Sequence, residues 1–142
     1  MSTPGRYDVY VDGMLEETLA NTTDLTVANV EAHLIDDTDY TANFATDVDY
    51  AVGDVPAAAK VAQLAAGLGS KTITDGDFDA ADDTFSSVSG DGVESTLIND
   101  HDAIDANAEL IVLLDNGGTT TPNGNDINIQ WAGAANFIFI LN

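Results

Sequence analysis

The segment 71–88 constrains the fold more than any other stretch, because its hydrophobic residues are separated by residues that favour turns. Those hydrophobic residues are Ile73, Phe78, Phe85 and Val88. The residues between them are mainly Thr, Ser, Asp and Gly, a composition typical of short strands joined tightly. Asp75 and Gly76 form a two-residue hairpin signal, since Gly adopts positive φ without steric cost and Asp tolerates it. The segment predicts two or three short strands, with a further corner at 79–83.

An alternating pattern predicts the first long strand, at residues 25–35. One set of side chains is expected to face inward and the other set to face solvent. The inward set is Val30, Ala32 and Leu34. The outward set is Asn29, Glu31 and His33. We therefore expect His33 to be a solvated strand residue and not a metal ligand, because no second ligand stands at a suitable spacing.

The second half of the chain predicts further strands. Residues 110–114 form a continuous apolar run bounded by the polar residues 115–118, which predicts a central strand buried on both faces. Residues 126–131 alternate cleanly and place Ile127, Ile129 and Trp131 on one face. The other expected elements are strands at 93–99 and, in the core, at 137–141, with turns at 90–92 and 119–124.

Two segments favour helix by composition. After a polar lead at 1–6, residues 7–20 carry apolar side chains at spacings of three and four, which predicts a short amphipathic helix. Its stripe would cover the core or contact a neighbouring molecule, and it includes Tyr10, Val11, Met14 and Leu19. Residues 57–68 have the alanine-rich composition of a helix, but Pro56 opens the segment and predicted strands follow it. Helix and strand both stay open there.

Together these elements predict a single domain, residues 1–142, that is mainly β. We expect a compact antiparallel β-sandwich, jelly-roll-like, of about seven to eight strands with one short N-terminal helix. A chain of 142 residues is long enough for one core, since a domain of this size buries roughly 70% of the surface of its unfolded form.

The charge balance indicates the environment. The chain carries 25 acidic residues against three basic ones, a formal net charge of −22. Such a charge makes the compact state repel itself at low ionic strength. In about 1 M salt the Debye length is about 3 Å, which removes most of that repulsion. We infer adaptation to a salt-rich host, with an ordinary acidic protein as the alternative.

The same charge excludes several classes of partner. Contacts to nucleic-acid phosphates need Lys and Arg, and the chain has only Arg6, Lys60 and Lys71. An anionic membrane surface is excluded for the same reason. There is no cysteine, hence no disulfide framework or thiolate metal site, and no apolar run approaches 18 residues.

Candidate chemical sites are weak, and we assign no catalytic, cofactor-binding or metal-ligating residues. The densest carboxylate cluster could bind calcium through one strand face, but solvated turns are the preferred interpretation. A second acidic group with one histidine is expected to be an exposed loop. The first cluster comprises Asp75, Asp77, Asp79, Asp82 and Asp83; the second comprises Asp100, His101, Asp102 and Asp105.

We do not expect an enzyme, since no nucleophile elbow and no glycine-rich phosphate loop is present. Carboxylate pairs suited to glycoside hydrolysis are abundant, but the distance between the carboxylates cannot be read from the sequence. A hydrolase therefore ranks third, after the virion protein and the adhesion module described below. The aromatic residues Tyr40, Phe44 and Tyr50 punctuate the polar connection 36–54. We interpret them as anchors that pin this loop to the core, with a sugar-stacking platform as the alternative.

The order of these segments resembles a family of small structural proteins of tailed phages and archaeal tailed viruses. The resemblance covers nearly the whole chain, and every matching motif is structural. The motifs are Asp54-Val55-Pro56 with the alanine-rich segment after it, 71–82, 85–91, 110–115, 121–124, 127–131 and 137–141. The resemblance favours strand over helix at 57–68, and it implies a compact β-sandwich that assembles on the virion. It transfers no catalytic residue.

The function implied by the resemblance and the charge is that of a virion protein of a halophilic tailed virus. A capsid decoration, turret or head-fibre component is expected first, with a tail or adaptor component as the alternative. Its partners would be the major capsid protein or other virion proteins and copies of itself, as a trimer or pentamer. From a different class, a carbohydrate-binding or calcium-stabilised adhesion module would bind host surface glycans through Tyr40, Phe44 and Tyr50.

Overall fold

The computed structural model describes residues 5–7, 25, 29–51, 53–64, 66–74, 77–101, 108–131 and 137–140. Within these residues the chain forms ten strands and one short 3-10 turn, Ala57–Ala59. The strands are β1 Gly5–Arg6, β2 Val30–Ile35, β3 Lys60–Gln63, β4 Thr72–Thr74, β5 Asp77–Asp79, β6 Asp83–Phe85, β7 Val93–Asp100, β8 Glu109–Thr120, β9 Ile127–Ile129 and β10 Phe137–Ile140. The prediction of a mainly β, antiparallel fold is confirmed.

The N-terminal part of the prediction is corrected at one point. Residues 5–6 are a strand paired with β8 and are not part of a polar lead. Tyr7 continues this pairing, because its N–H donates to the carbonyl of Ile111 (3.1 Å). The rest of the predicted helix, residues 8–20, lies outside the described residues.

Five of the described strands form one antiparallel sheet in the order β1-β8-β7-β2-β3. At its centre, β2 pairs with β7 over six residues, from Val30 opposite Asp100 to Ile35 opposite Ser95, without a break in register. The apolar run at 110–114 lies in β8, between β1 and β7, and Leu110, Ile111, Val112 and Leu113 are buried. The predicted central strand is confirmed.

The sheet is covered on both faces, and this overturns the expected exposure of β2. All six residues of β2 are buried, including Glu31 and His33, which we expected in solvent. The loop 36–54 covers the His33 face, since the Tyr50 ring stacks on His33. On the other face, Leu34 lies with Trp131 beside a cavity. The strand also begins at Val30, later than the predicted start at 25.

The hairpin prediction in 71–88 is confirmed. β4 and β5 pair antiparallel, with Thr74 opposite Asp77, so two residues connect them. β5 also pairs with β10, giving a three-stranded sheet in the order β10-β5-β4. β6 and β9 form a separate pair. Thus 71–88 contributes three strands, as its spacing predicts.

The polar residues 115–118 do not end β8, contrary to expectation. The strand continues to Thr120, and the register with β7 jumps from Ser95 opposite Asp115 to Val93 opposite Thr120. Glu94 is therefore the single residue of β7 opposite four residues of β8, 116–119, which form a bulge. Gly117 and Gly118 have φ of 74° and 158°, conformations that glycine adopts without a Cβ clash. The expected boundary of the strand is thus an insertion within it.

The alanine-rich segment forms neither a long helix nor a long strand. After the 3-10 turn, β3 pairs with β2, with Leu34 opposite Ala62. The backbone N–H of Leu68 then donates to the carbonyl of Val30 (2.7 Å). Gly67 permits this close approach, because a Cβ there would lie 2.3 Å from Oδ1 of Asn29. Pairing with β2 overrides the helical propensity of the alanines.

Aspartate side chains organise many of the connections. Eight of them in the described residues accept hydrogen bonds from backbone N–H groups, namely Asp36, Asp47, Asp54, Asp79, Asp82, Asp83, Asp115 and Asp126. The short side chain of Asp reaches nearby backbone donors, which explains why Asp suits these turns. The backbone thus supplies donors that the three basic residues of the chain could not supply.

Asp54 provides a test of this role. Its Oδ2 accepts from the N–H groups of Val48 and Asp49, both at 2.9 Å. We expect Asp54→Ala to lower the free energy of unfolding by about 2 kcal/mol, since two charge-assisted bonds are lost. Asp54→Asn keeps an oxygen acceptor and should lose less than half as much. Urea denaturation in concentrated KCl measures both; equal losses would contradict the role of the acceptor.

Candidate functional site

A cavity of about 460 Å³ lies on one face of the five-stranded sheet. Its floor is formed by Leu34 of β2, Thr96 of β7 and Leu114 of β8. Residues 127–131, comprising β9 and the two residues after it, line it as well. The remaining lining residues are Asp115, Asn116 and Thr120, which belong to the bulged part of β8.

The alternation predicted at 126–131 is confirmed and explains one side of the cavity. Ile127 and Ile129 are half-buried and Trp131 is buried, whereas Asn128 and Gln130 are exposed. Two hydrogen bonds fix Trp131: its backbone N–H donates to Asp82 Oδ1 (3.1 Å), and its Nε1 donates to the carbonyl of Ala81 (3.0 Å). This part of the cavity is therefore held by the corner between β5 and β6.

The polar groups of the cavity are also held in place. Thr96 Oγ1 donates to Asn116 Oδ1 and Thr84 Oγ1 donates to Asn128 Oδ1, each at 2.8 Å. Asp115 Oδ1 accepts from the N–H of Gly117 (2.7 Å). Both amides are thus anchored through their carbonyl oxygens, and their NH₂ groups remain as donors for a ligand. The two threonine bonds prearrange these groups.

The charge of the cavity limits what it can bind. Among the described residues that line it, Asp115 carries the only ionisable side chain. None of the described lining residues is basic, and the whole chain has a net charge of −22. An anion would therefore meet repulsion without a compensating contact. The arrangement suits neutral polar molecules or cations.

A second group of polar side chains lies beneath the opposite face of the sheet. The Glu31 carboxylate is 1% exposed and accepts hydrogen bonds from Gln63 Nε2 (2.7 Å) and Asn29 Nδ2 (3.3 Å). Its Oε2 lies 3.4 Å from His101 Nδ1 and 3.7 Å from His33 Nε2. Two amides and two imidazoles thus surround one buried carboxylate.

His33 is the most constrained member of this group. Its Nε2 donates to Asn99 Oδ1 (2.6 Å), and its ring stacks on Tyr50 with the centroids 3.9 Å apart. Its Nδ1 is buried without a hydrogen-bond partner in the part of the chain that the structure describes. Burial is the main reason that the pKa of His33 is lowered to about 4; the Asn99 hydrogen bond opposes this shift, and the nearby charges of Lys60 and His101 add to it. His33 is neutral at pH 7.

The aromatic residues of the loop 36–54 are anchors, as predicted. Tyr40 and Tyr50 are buried, and Phe44 packs edge-on against Tyr7 with the ring centroids 5.1 Å apart. The hydroxyl of Tyr40 donates to Asp47 Oδ2 (2.9 Å) and lies 2.8 Å from that of Tyr7. Burial raises the pKa of both tyrosines, so both stay protonated. Buried rings offer no platform for a sugar at Tyr40 and Tyr50.

The first carboxylate cluster is not assembled into one site by its described members. Asp79, Asp82 and Asp83 each accept a backbone N–H, from Ala80, Trp131 and Thr84 respectively. Asp75 and the side chain of Asp77 lie outside the described residues. These bonds are consistent with the predicted use of Asp in turns.

The second acidic group differs from expectation. Asp100 is the last residue of β7 and is fully buried, so it is not part of an exposed loop. The His101 side chain is 30% exposed and faces Glu31. Asp102 and Asp105 lie outside the described residues. The pairing of β7 with both neighbours extends one residue beyond the predicted end of the strand and buries Asp100.

Sequence reasoning missed two groupings. The carboxylates of Asp36, Asp39 and Asp91 come within 4.8 Å of one another, although Asp91 is far from the other two in the chain. Asp115 and Asn116 join the cavity only because β8 bulges. Neither grouping has a local signal, since each depends on contacts between distant segments.

Comparisons with known proteins add no relative. No protein-family model matches the chain, and no curated protein sequence matches it. Within the described residues, no helix is both long enough and apolar enough to cross a membrane.

The buried histidine generates a pH prediction. The pKa of His33 in the folded state, about 4, lies below the ordinary value of 6.5, so acid protonates the unfolded chain first. The contribution of neutral His33 to the free energy of unfolding is complete above pH 6.5, and it is lost progressively as the pH falls towards 4. By pH 4 we expect wild type to lose about 3 kcal/mol more than His33→Gln.

Urea denaturation of both proteins at a series of pH values in concentrated KCl measures this difference. Carboxylates titrate in both proteins, so their effect cancels in the comparison. Parallel stability profiles for the two proteins would show that His33 is not held neutral.

Proposed function

We propose that this chain is a structural protein of the virion of a halophilic tailed virus, namely a capsid decoration, turret or head-fibre component. The order of its motifs resembles the family of small virion proteins, and its net charge of −22 suits a salt-rich medium. In this proposal the sheets belong to a jelly-roll-like sandwich, and copies assemble symmetrically, as a trimer or pentamer, against the major capsid protein.

One structural observation carries the assembly part of the proposal. Ile73 is 45% exposed and is the one large hydrophobic side chain exposed among the described residues. It lies in the middle of β4, an edge strand of the three-stranded sheet. An edge strand presents unpaired backbone groups that another chain can pair with, and an apolar side chain adds burial to that contact. We place the contact with a neighbouring protein there.

The charge makes such a contact dependent on salt. Two copies carrying −22 each repel strongly at low ionic strength. At about 1 M salt and above, the screening length falls to about 3 Å, so only charges in direct contact still repel. Assembly is therefore favoured under the conditions in which a halophilic virus is stable.

We expect a discrete trimer or pentamer at about 3 M KCl and dissociation towards about 0.1 M, across the range from nearly complete to weak screening. Ile73→Asp should remain monomeric at every salt concentration. Ala58→Asp adds the same charge at an exposed position in the 3-10 turn, and it should assemble like wild type. Size-exclusion chromatography with light scattering measures the mass, and circular dichroism establishes which samples are folded.

A wild-type chain that is folded and monomeric throughout would contradict self-assembly. If Ile73→Asp and Ala58→Asp behave alike, the contact is not at β4.

The location on the particle needs a separate experiment, because a tail or adaptor component would assemble by the same contact. We expect mass spectrometry to find the protein in purified virions and in tail-less heads of the virus. Its presence in tail-only particles together with its absence from tail-less heads would overturn the capsid location.

A further inference from the structure

We infer that the cavity floored by Leu34, Thr96 and Leu114 is a binding site for a neutral saccharide. This inference does not depend on the proposed virion role, because it rests on the lining of the cavity alone. It also moves the carbohydrate hypothesis away from Tyr40 and Tyr50, whose rings are buried.

The size of the cavity fits a small ligand. Its volume of about 460 Å³ lies in the lower half of the range for ligand pockets, which runs from about 300 to 1,000 Å³. It lies between the sheet and the segment 127–131, and not within one turn or loop. Its walls therefore come from four strands. β2, β7 and β8 are neighbours in one sheet, and β9 is held by its pairing with β6.

The lining combines the two surfaces that a sugar ring needs. A pyranose has a face of C–H groups and an edge of hydroxyls. Ile127 and Ile129, which are half-buried, offer an apolar surface for the first. The amide of Asn116 is held by the hydroxyl of Thr96 on the floor and can donate through NH₂ to sugar oxygens. The carboxylate of Asp115 can accept from sugar hydroxyls.

The charge distinguishes between classes of ligand. A phosphorylated, sulfated or acidic sugar would find no basic partner among the described residues that line the cavity, so its charge would lose water without a compensating contact. An organic cation could bind Asp115, but salt would screen that attraction in a concentrated brine. Hydrogen bonds and apolar contacts to a neutral sugar are not screened. A neutral saccharide is thus the ligand that this cavity can hold in high salt.

The chain of residues 1–142 in about 3 M KCl, under nearly complete screening, should bind neutral glycans on an array more strongly than acidic ones, because the described lining offers no basic partner to an acidic group. Ligand-observed NMR titrations then use mannose, galactose, glucose and N-acetylglucosamine, with choline as the cationic probe. We expect at least one neutral sugar to bind with an affinity that changes less than about twofold between 0.5 and 3 M KCl, because its contacts carry no net charge.

Two variants test the site itself. Asn116→Ala removes an exposed amide from the cavity and should weaken binding about tenfold, the effect of losing one or two hydrogen bonds. Asp115→Asn keeps an oxygen acceptor for Gly117 and should change sugar affinity by less than about threefold while abolishing choline binding. Asn123→Ala removes an exposed amide outside the cavity and serves as the matched control.

Three results would overturn the inference: no neutral sugar binds to folded protein, Asn116→Ala binds as well as Asn123→Ala, or choline alone binds. The oligomeric state of the same samples is measured independently. A monomer that binds sugar would refute self-assembly alone, and an oligomer that binds none would refute the saccharide site alone.

Discussion

The structure depends on the burial of β2 on both of its faces. Its uninterrupted pairing with β7 fixes the register of the central sheet, and its six residues are all buried. The loop 36–54 stacks Tyr50 on His33 above one face, and Trp131 lies beside the cavity on the other. A strand buried on both faces needs partners for its polar side chains. That requirement explains why Glu31 and His33 are surrounded by amides, imidazole and an aromatic ring.

The excess of acid shapes the connections rather than the core. A net charge of −22 with three bases leaves few opportunities for ion pairs. Backbone N–H groups serve as donors to eight aspartates, so each of these carboxylates closes a turn or joins two segments. Asp82 does this over a long distance in the chain, because it fixes Trp131 beside the cavity. Acidic residues thus contribute to tertiary structure as hydrogen-bond acceptors, and salt screens their mutual repulsion.

The two proposed interactions use different parts of the molecule. The edge strand β4 carries Ile73 and would contact a protein, whereas the cavity is built by β2, β7, β8 and β9. Neither requires a charged contact, which suits a medium in which electrostatic attraction is weak. A chain that assembles through one surface and holds a glycan in another would present several sugar sites on one particle. Multiple weak sites of this kind raise the overall affinity for a glycosylated surface.

The sequence by itself determined the strand-rich class, the hairpin at 72–79, the buried run at 110–114 and the alternation at 127–131. Each of these follows from turn chemistry or from a period visible in neighbouring residues. It also determined that Tyr40 and Tyr50 anchor their loop, since large aromatic rings in a polar segment gain most from burial. The charge and its consequence for salt are likewise properties of composition.

Only the tertiary structure decided the burial of Glu31, His33 and Asp100. Alternation distinguishes two faces of a strand, but it does not reveal that distant segments cover both faces. The bulge at 116–119, the strand at 60–63 and the cavity have the same origin, because each depends on pairing between residues far apart in the chain. Local propensity was overridden wherever such pairing satisfied backbone hydrogen bonds and buried apolar surface together.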